Sequence, residues 1–346
     1  MDASPTPATV RSAPAAGHAG TWTGIACGMG AGALWGLVFL APELAREFSP
    51  LQLTIGRYLC YGLVAAALVA PRWRALFGRL PRRQWRNLAW LALAGNTVYY
   101  LLLSAAVQNG GIAMTSLVIG FLPVAVTVIG SRDHGAVPLR RLWPSLLLCA
   151  GGALCIGWEA LAGTGEGLAG RQLFGLACAI GALASWTAYA IGNARCLVRL
   201  EQVSAHDWNL LTGLVTGAQS LLLVPLALVL GAGDHDAAAW MRFGAVSAGV
   251  AVFASIAGNA LWNRMSRLLP LTLVGQMILF ETLFALVYAF LWERRLPTAL
   301  EVAALACVVL GVLSCMAAHR RPLAIEPGAQ RAASVPPITA RSGPPG

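Results

Sequence analysis

The chain has 346 residues, of which 58% are hydrophobic and only 11% charged, and its mean hydropathy is strongly positive. This composition is typical of an integral membrane protein and argues against a soluble enzyme or a soluble nucleic-acid-binding domain. The formal net charge of +10 has to be interpreted from where the basic residues lie.

A helix that crosses a bilayer needs about 20 consecutive, mostly apolar residues. We therefore divided the chain into apolar windows bounded by charge, proline or glycine. Ten windows follow in chain order: 24–41, 51–71, 86–106, 111–130, 140–160, 172–192, 206–231, 239–262, 269–291 and 299–317. The connections between them are short, so the sequence predicts an all-α, polytopic protein of ten spans without a soluble catalytic domain.

All 24 basic residues are arginines, and their distribution predicts the topology. Six fall in PRWRALFGRLPRRQWRN between the second and third windows. An arginine excess marks cytoplasmic segments, so we expect an inner-membrane protein with both termini in the cytoplasm. In that topology only five arginines lie in outward loops, and Arg57 lies inside a span. The five are Arg46, Arg171, Arg242, Arg294 and Arg295.

The two halves of the chain resemble each other. The segment from Ile119, IGFLPVAVTVIG, aligns without a gap with ILFETLFALVYA from Ile278, which places Leu122 on Glu281. A weaker match places Trp35 on Trp186, and the string AGN occurs at 94–96 and 257–259, one helical turn out of register. A repeat of five spans must insert its second copy upside down, and such inverted repeats are the architecture of many secondary transporters.

We expect the repeats at 23–160 (helices 1–5) and 171–318 (helices 6–10), with disordered cytoplasmic tails at 1–22 and 319–346. The tails are rich in proline, alanine and small polar residues, and such segments bury too little apolar surface to fold.

Short motifs in this order resemble the ten-helix EamA type of the drug/metabolite transporter superfamily. They are ALWG in span one, SPLQLTIGRY with Arg57 in span two, LP at 122–123, ASWTAY in span six, LWN at 261–263, the acid at 281, and WERRLPT before span ten. The resemblance covers about 24–317 and implies transport by alternating access. LWN is more similar to the amino-acid-exporting members. Thr282 stands where the family often has proline, so a kink is better supported in span four, which keeps Pro123, than in span nine.

Glu281 is the most unusual residue of the spans. A charge at the bilayer centre costs about 2.5–3.5 kcal/mol on insertion scales, so we expect Glu281 to face protein or a water-filled cavity. It is a candidate ligand for a substrate amine or a carrier of protons, and the alternative is a structural acid that hydrogen-bonds between helices. Glu293, beside two arginines, is predicted to be the outer end of the same helix.

Arg57 lies about two turns inside span two, roughly 10 Å deep at 1.5 Å per residue. It could bind a carboxylate or phosphate, pair with Glu43 or Glu47 at the end of span one, or extend to the interface. Because the family carries arginine there, we favour a gate or a structural ion pair over substrate contact.

Trp35 and Trp186 lie deep and at equivalent places of the two halves, where they line a pathway or simply pack. Polar residues in otherwise apolar spans are candidates for a neutral binding cavity between spans three, four, eight and nine, although cross-helix hydrogen bonds are an equal explanation. These residues are Asn96, Tyr99, Tyr100, Asn259, Asn263 and Gln276. Gly28, Gly32 and Gly36 share one helical face and predict close helix packing rather than a phosphate loop.

The sequence carries no catalytic motif, and its eight cysteines are interpreted as small buried hydrophobic residues. We therefore expect no enzyme activity, no catalytic residues, no cofactor and no bound metal. The predicted function is secondary active transport of a small organic metabolite, with export of an amino acid or related compound favoured. The alternatives are a broad-specificity drug exporter and, from another class, a membrane-embedded enzyme or lipid-handling scaffold. The expected partners are a small-molecule substrate, membrane lipid and protons as coupling ion, without nucleic acid. Both a monomer and a homodimer fit.

Overall fold

The computed structural model describes residues 18–78, 80–130, 139–162, 168–198, 203–231, 233–269 and 277–320. These residues form helices joined by short turns and contain no strand, which confirms the all-α prediction. The first helix begins at His18, inside the predicted tail 1–22, and the last ends at Arg320. The remainder of both predicted tails lies outside the described residues.

The helices follow the ten predicted windows, and we number the spans accordingly. In the first half, spans one and two are His18–Leu44 and Pro50–Val69, and span five is Leu139–Ala162. Span three consists of Arg82–Ala92, Leu93–Val98 and the start of Tyr99–Ile119, and span four consists of the end of that helix and Leu122–Gly130. In the second half, spans six and seven are Leu168–Val198 and Ala205–Val229, span eight consists of Ala237–Val250, Ala251–Gly258 and Asn259–Leu268, span nine includes Leu279–Glu293, and span ten is Ala299–Arg320. A short 3₁₀ turn, Ala70–Arg72, and a small helix, Trp73–Phe77, follow span two.

Eight continuous helical stretches of the described residues are long and apolar enough to cross a membrane. One of them, Arg82–Ile119, reverses direction at Gly111 and belongs to two spans. Gly111 has φ +84° and ψ +166°, a conformation that only glycine adopts at low cost. With the shorter span nine, the described residues supply ten spans.

The turns after spans one, three, five, seven and nine meet on one side of the bundle, which we call the odd-turn face. Gln108 Nε2 donates to the Phe48 carbonyl at 2.9 Å, and the Phe48 ring lies 4.2 Å from that of His235. On the same face, Thr298 Oγ1 donates to Glu159 at 2.8 Å. On the opposite, even-turn face, Arg72 pairs with Asp207 at 3.1 Å.

Spans two and seven, which are equivalent in the two repeats, pack against each other through equivalent glycines. A Cβ on Gly62 would lie 2.7 Å from the Gly217 Cα, and a Cβ on Gly217 would lie 2.8 Å from the Gly62 Cα. Both spans also begin with a serine N-cap: Ser49 accepts from the Gln52 amide and Ser204 from the Asp207 amide. With this offset of 155 residues between the repeats, Arg57 in the first half is equivalent to Thr212 in the second.

Spans four and nine are both discontinuous at equivalent places. Span four breaks at Gly120 and Phe121, and Ile278 is a turn residue immediately before Leu279–Glu293. Pro123 therefore occupies the first turn of a helix, where proline is tolerated. Span nine breaks at Ile278 without a proline beside it, although a kink was better supported by the sequence in span four than in span nine. The two breaks touch, because a Cβ on Gly120 would lie 3.1 Å from Thr282 Oγ1.

Spans three and eight each contain a π-helical segment, Leu93–Val98 and Ala251–Gly258. Such segments disturb the regular hydrogen-bond ladder and are frequent at functional sites. In each half a side chain from the first helix of the other half donates to a carbonyl there. Trp35 Nε1 donates to Ala254 at 3.0 Å, and Ser185 Oγ donates to Ala94 at 2.7 Å.

The Trp35→Phe variant is expected to be less stable by about 1–3 kcal/mol, because it leaves the Ala254 carbonyl without its side-chain donor. The loss would appear as a lower thermal unfolding midpoint in detergent. Trp90→Phe is the matched control, because Trp90 is 68% exposed on the apolar surface. An equal shift in both variants would contradict the importance of this hydrogen bond.

Candidate functional site

Five residues from spans two, three and nine come together inside the bundle. We call Arg57, Tyr58, Tyr99, Tyr100 and Glu281 the central cluster. The guanidinium of Arg57 lies 4.3 Å from the Tyr100 ring centroid and 5.1 Å from that of Tyr58. Both rings are about 1% exposed and Arg57 is 8% exposed. Two tyrosine faces therefore stabilise a buried cation.

Glu281 lies in the first turn of the helix Leu279–Glu293. A Cβ on Gly32 would stand 2.9 Å from the Glu281 backbone nitrogen, and Gly32 is halfway along the apolar stretch Trp22–Leu44. The carboxyl group is thus at mid-membrane depth, at the N-terminal end of a helix whose dipole favours negative charge. It is half-buried and lies within electrostatic range of Arg57 and Tyr99.

The tryptophans predicted from the repeat lie in two similar aromatic pairs. Trp35 and Trp262 have ring centroids 5.0 Å apart, and Trp186 and Tyr99 have centroids 6.5 Å apart. In the register of the AGN strings, Tyr99 corresponds to Trp262. The AGN match, which seemed out of register, therefore agrees with the side-chain packing.

The predicted neutral polar residues are divided among different surroundings. Asn96 Nδ2 donates to Thr216 Oγ1 in span seven at 3.0 Å, and Asn259 Nδ2 donates to the Ser255 carbonyl of its own helix at 2.8 Å. Asn263 is exposed. Gln276 lies outside the described residues. Of this set, only Tyr99 and Tyr100 are in the central cluster.

The ion pair suggested for Arg57 is wrong. Glu43 pairs with Arg46 at 3.0 Å, and Glu47 pairs with Arg242. Among the described residues no carboxylate lies within 4.0 Å of Arg57, and its Nε and Nη1 atoms have no hydrogen-bond partner. The arginine points into the protein, where the tyrosines hold it, instead of towards the end of span one.

A separate polar network lies on the odd-turn face. Arg295 donates to Glu293 at 2.6 Å and to both carboxyl oxygens of Glu301. These hydrogen bonds, that to Glu301 above all, hold the pKa of Arg295 above its usual range. With Glu159 and Gln172 these residues line a cavity of about 130 Å³. Glu293 ends its helix, as predicted.

This cavity is not the central cluster, and its acids are neutralised in part by Arg295. We place the candidate site at the central cluster because a buried charge inside the membrane needs a partner, whereas ion pairs at helix ends contribute little.

Sequence reasoning did not single out Tyr58, Tyr189 or Trp262 as site residues. Tyr189 lies beside Trp186, with ring centroids 5.7 Å apart, and a Cβ on Gly95 would collide with its ring at 2.3 Å. Simple signals existed: Tyr58 follows Arg57 directly, Tyr189 is three residues after Trp186, and Trp262 is the centre of LWN.

Comparison with known proteins agrees with this architecture. The EamA-like transporter family matches residues 22–158. Inner membrane protein YtfF of Escherichia coli (strain K12) is 30% identical over 87% of this chain and 97% of its own length. The uncharacterized transporter YdeK of Bacillus subtilis (strain 168) is 27% identical over 80% of this chain and 88% of its own.

A solved crystal structure with 19% sequence identity covers 86% of this chain and 99% of its own, with a TM-score of 0.54. At this identity the likeness shows the fold alone. The family match, the near full-length relatives and the ten apolar spans lead to one conclusion: the chain belongs to the EamA-like transporters of the drug/metabolite transporter superfamily, as a multi-pass inner-membrane transporter and not an enzyme.

Proposed function

We propose that the protein exports an amino acid or a related small amphipathic metabolite by alternating access around the central cluster. The observation that carries this proposal is that two opposite charges lie near each other at mid-membrane depth. Arg57 and Glu281 lie within electrostatic range without forming an ion pair, and aromatic side chains surround them. A solute with charged groups and an apolar body fits such surroundings.

The discontinuous spans support the same mechanism. In many transporters broken helices place their ends at the substrate site, and the two repeats move against each other around it. Spans four and nine break where they touch, and Glu281 is three residues beyond the break in span nine. Movement at this contact would change the surroundings of the carboxyl group.

The test is counterflow in liposomes that contain the purified protein. Vesicles are loaded with one unlabelled solute, and entry of the same labelled solute is followed for each common L-amino acid and for ethidium, an aromatic cation. We expect exchange of at least one amino acid above protein-free vesicles. Exchange of ethidium alone would support the broad-specificity drug exporter, and exchange of neither would contradict the proposal.

We propose a topology with both termini in the cytoplasm, supported by the arginine-rich segment between spans two and three. A reporter active only in the cytoplasm, fused after residue 346, should be active. A reporter active only in the periplasm should be inactive at the same position. The reverse pattern would show that the C-terminus faces the periplasm and would contradict the proposed topology.

A further inference from the structure

Arg57 is a buried cation with two hydrogen-bond donors that lack an acceptor among the described residues. It is 8% exposed, and the two donors are its Nε and Nη1 atoms. A buried donor left without a partner is destabilising, and a buried charge without a counter-ion more so. Attraction to the Tyr58 and Tyr100 rings offsets part of this cost, yet it leaves Nε and Nη1 without an acceptor.

The neighbouring acids do not complete the site. Glu43 and Glu47 are engaged by Arg46 and Arg242. Glu281 attracts Arg57 at longer range, although their charged atoms are more than 4.0 Å apart. The guanidinium and the carboxylate therefore do not pair directly, and a molecule with both charges would satisfy the two groups together.

The repeat shows that this pair of charges is asymmetric. Arg57 corresponds to Thr212 through the register of the two serine caps, and Glu281 corresponds to Leu122. Neither counterpart is charged: Thr212 is buried like Arg57, and Leu122 is buried at the place where Glu281 is half-buried. The scaffold does not need charge at these depths, because the other half packs without it. This asymmetry favours a ligand function over a structural one.

We propose that Arg57 binds the carboxylate of the substrate while Glu281 faces its ammonium group, so that the transporter recognises zwitterions. This inference rests on the proposed function and deepens it. The planar guanidinium suits two parallel hydrogen bonds to a carboxylate, and the stack on Tyr100 fixes its plane. Trp186, Tyr99 and Tyr189 then provide apolar surface for the remainder of the molecule.

The experiment compares three probes on the unmutated protein in detergent, by thermal stabilisation and by competition in counterflow. L-phenylalanine carries both charges, L-phenylalaninamide lacks the carboxylate, and 3-phenylpropanoate lacks the amine. We expect L-phenylalanine to stabilise the protein and the amide to bind at least about 30-fold more weakly, as expected for loss of one partner of a buried charge pair. Equal binding of amide and amino acid, or no binding of L-phenylalanine, would overturn the proposal.

The variants Arg57→Gln and Arg57→Lys distinguish the contribution of the positive charge from that of the planar guanidinium, because lysine keeps the charge and glutamine does not. Both should weaken L-phenylalanine binding, and Arg57→Gln should remove the preference for the amino acid over the amide. Arg46→Gln, at the odd-turn face, is the matched control and should keep that preference. If Arg57→Gln does not fold, the probe series on the unmutated chain still decides. Counterflow of ethidium without any preference for carboxylates would overturn this inference and leave membrane transport itself intact.

Discussion

The Glu281→Gln variant is expected to bind a zwitterionic solute more weakly but still to exchange it, and to lose the effect of a pH gradient on accumulation. A gradient of one pH unit provides about 1.4 kcal/mol for each coupled proton, which corresponds to a tenfold concentration ratio. In liposomes with the unmutated protein we therefore expect about tenfold accumulation of L-phenylalanine per pH unit for one-to-one exchange. Glutamine keeps the shape of the side chain but cannot bind or release a proton, so the ratio should fall to one.

Glu293→Gln is the matched control, because Glu293 ends the same helix on the odd-turn face and pairs with Arg295. Its pH dependence should remain that of the unmutated protein. If Glu281→Gln still accumulates solute in response to the gradient, Glu281 does not carry the proton and its role is confined to binding or packing.

The Gly32→Leu variant is expected to prevent spans one and nine from packing. A Cβ at this position would lie 2.6 Å from the Phe280 Cβ and 2.9 Å from the Glu281 nitrogen, so even alanine requires a shift of backbone. Overpacking of this kind costs about 1–3 kcal/mol and sometimes more, and leucine adds three further carbons. We expect Gly32→Ala to lower the unfolding midpoint and Gly32→Leu to yield no monodisperse protein on size-exclusion chromatography.

Gly157→Leu is the control, because no atom lies within 4 Å of a Cβ built on Gly157 in span five. It should elute and unfold like the unmutated protein. A Gly32→Leu variant with an unchanged midpoint would show that the two helices separate readily at this crossing.

The sequence was sufficient to predict the spans and the packing face of span one. Apolar windows predict membrane helices because the bilayer imposes one length and one hydrogen-bonding pattern. The glycines at four-residue spacing predicted close packing, which is confirmed at Gly28, Gly32 and Gly36. The alignment of Leu122 with Glu281 likewise agrees with the equivalent breaks in spans four and nine.

The interior of the site was harder to predict, because it depends on which faces of distant helices meet. An ion pair of Arg57 with Glu43 or Glu47 at the end of span one was one of the alternatives, but those acids pair with Arg46 and Arg242. The break in span nine has no proline beside it, so the sequence carries no signal for it, and in the structure it lies against Gly120 at the break in span four. Whether Glu281 and the other predicted pathway residues act on a solute stays a prediction.

The two π-helical segments have a consequence for the order of synthesis. Span eight emerges from the ribosome after span one, so Trp35 is already present when the Ala254 carbonyl enters the membrane. Span three emerges before span six, so the Ala94 carbonyl has to wait for Ser185. Translation therefore leaves the Ala94 carbonyl of the first repeat without its side-chain donor until the second repeat is made.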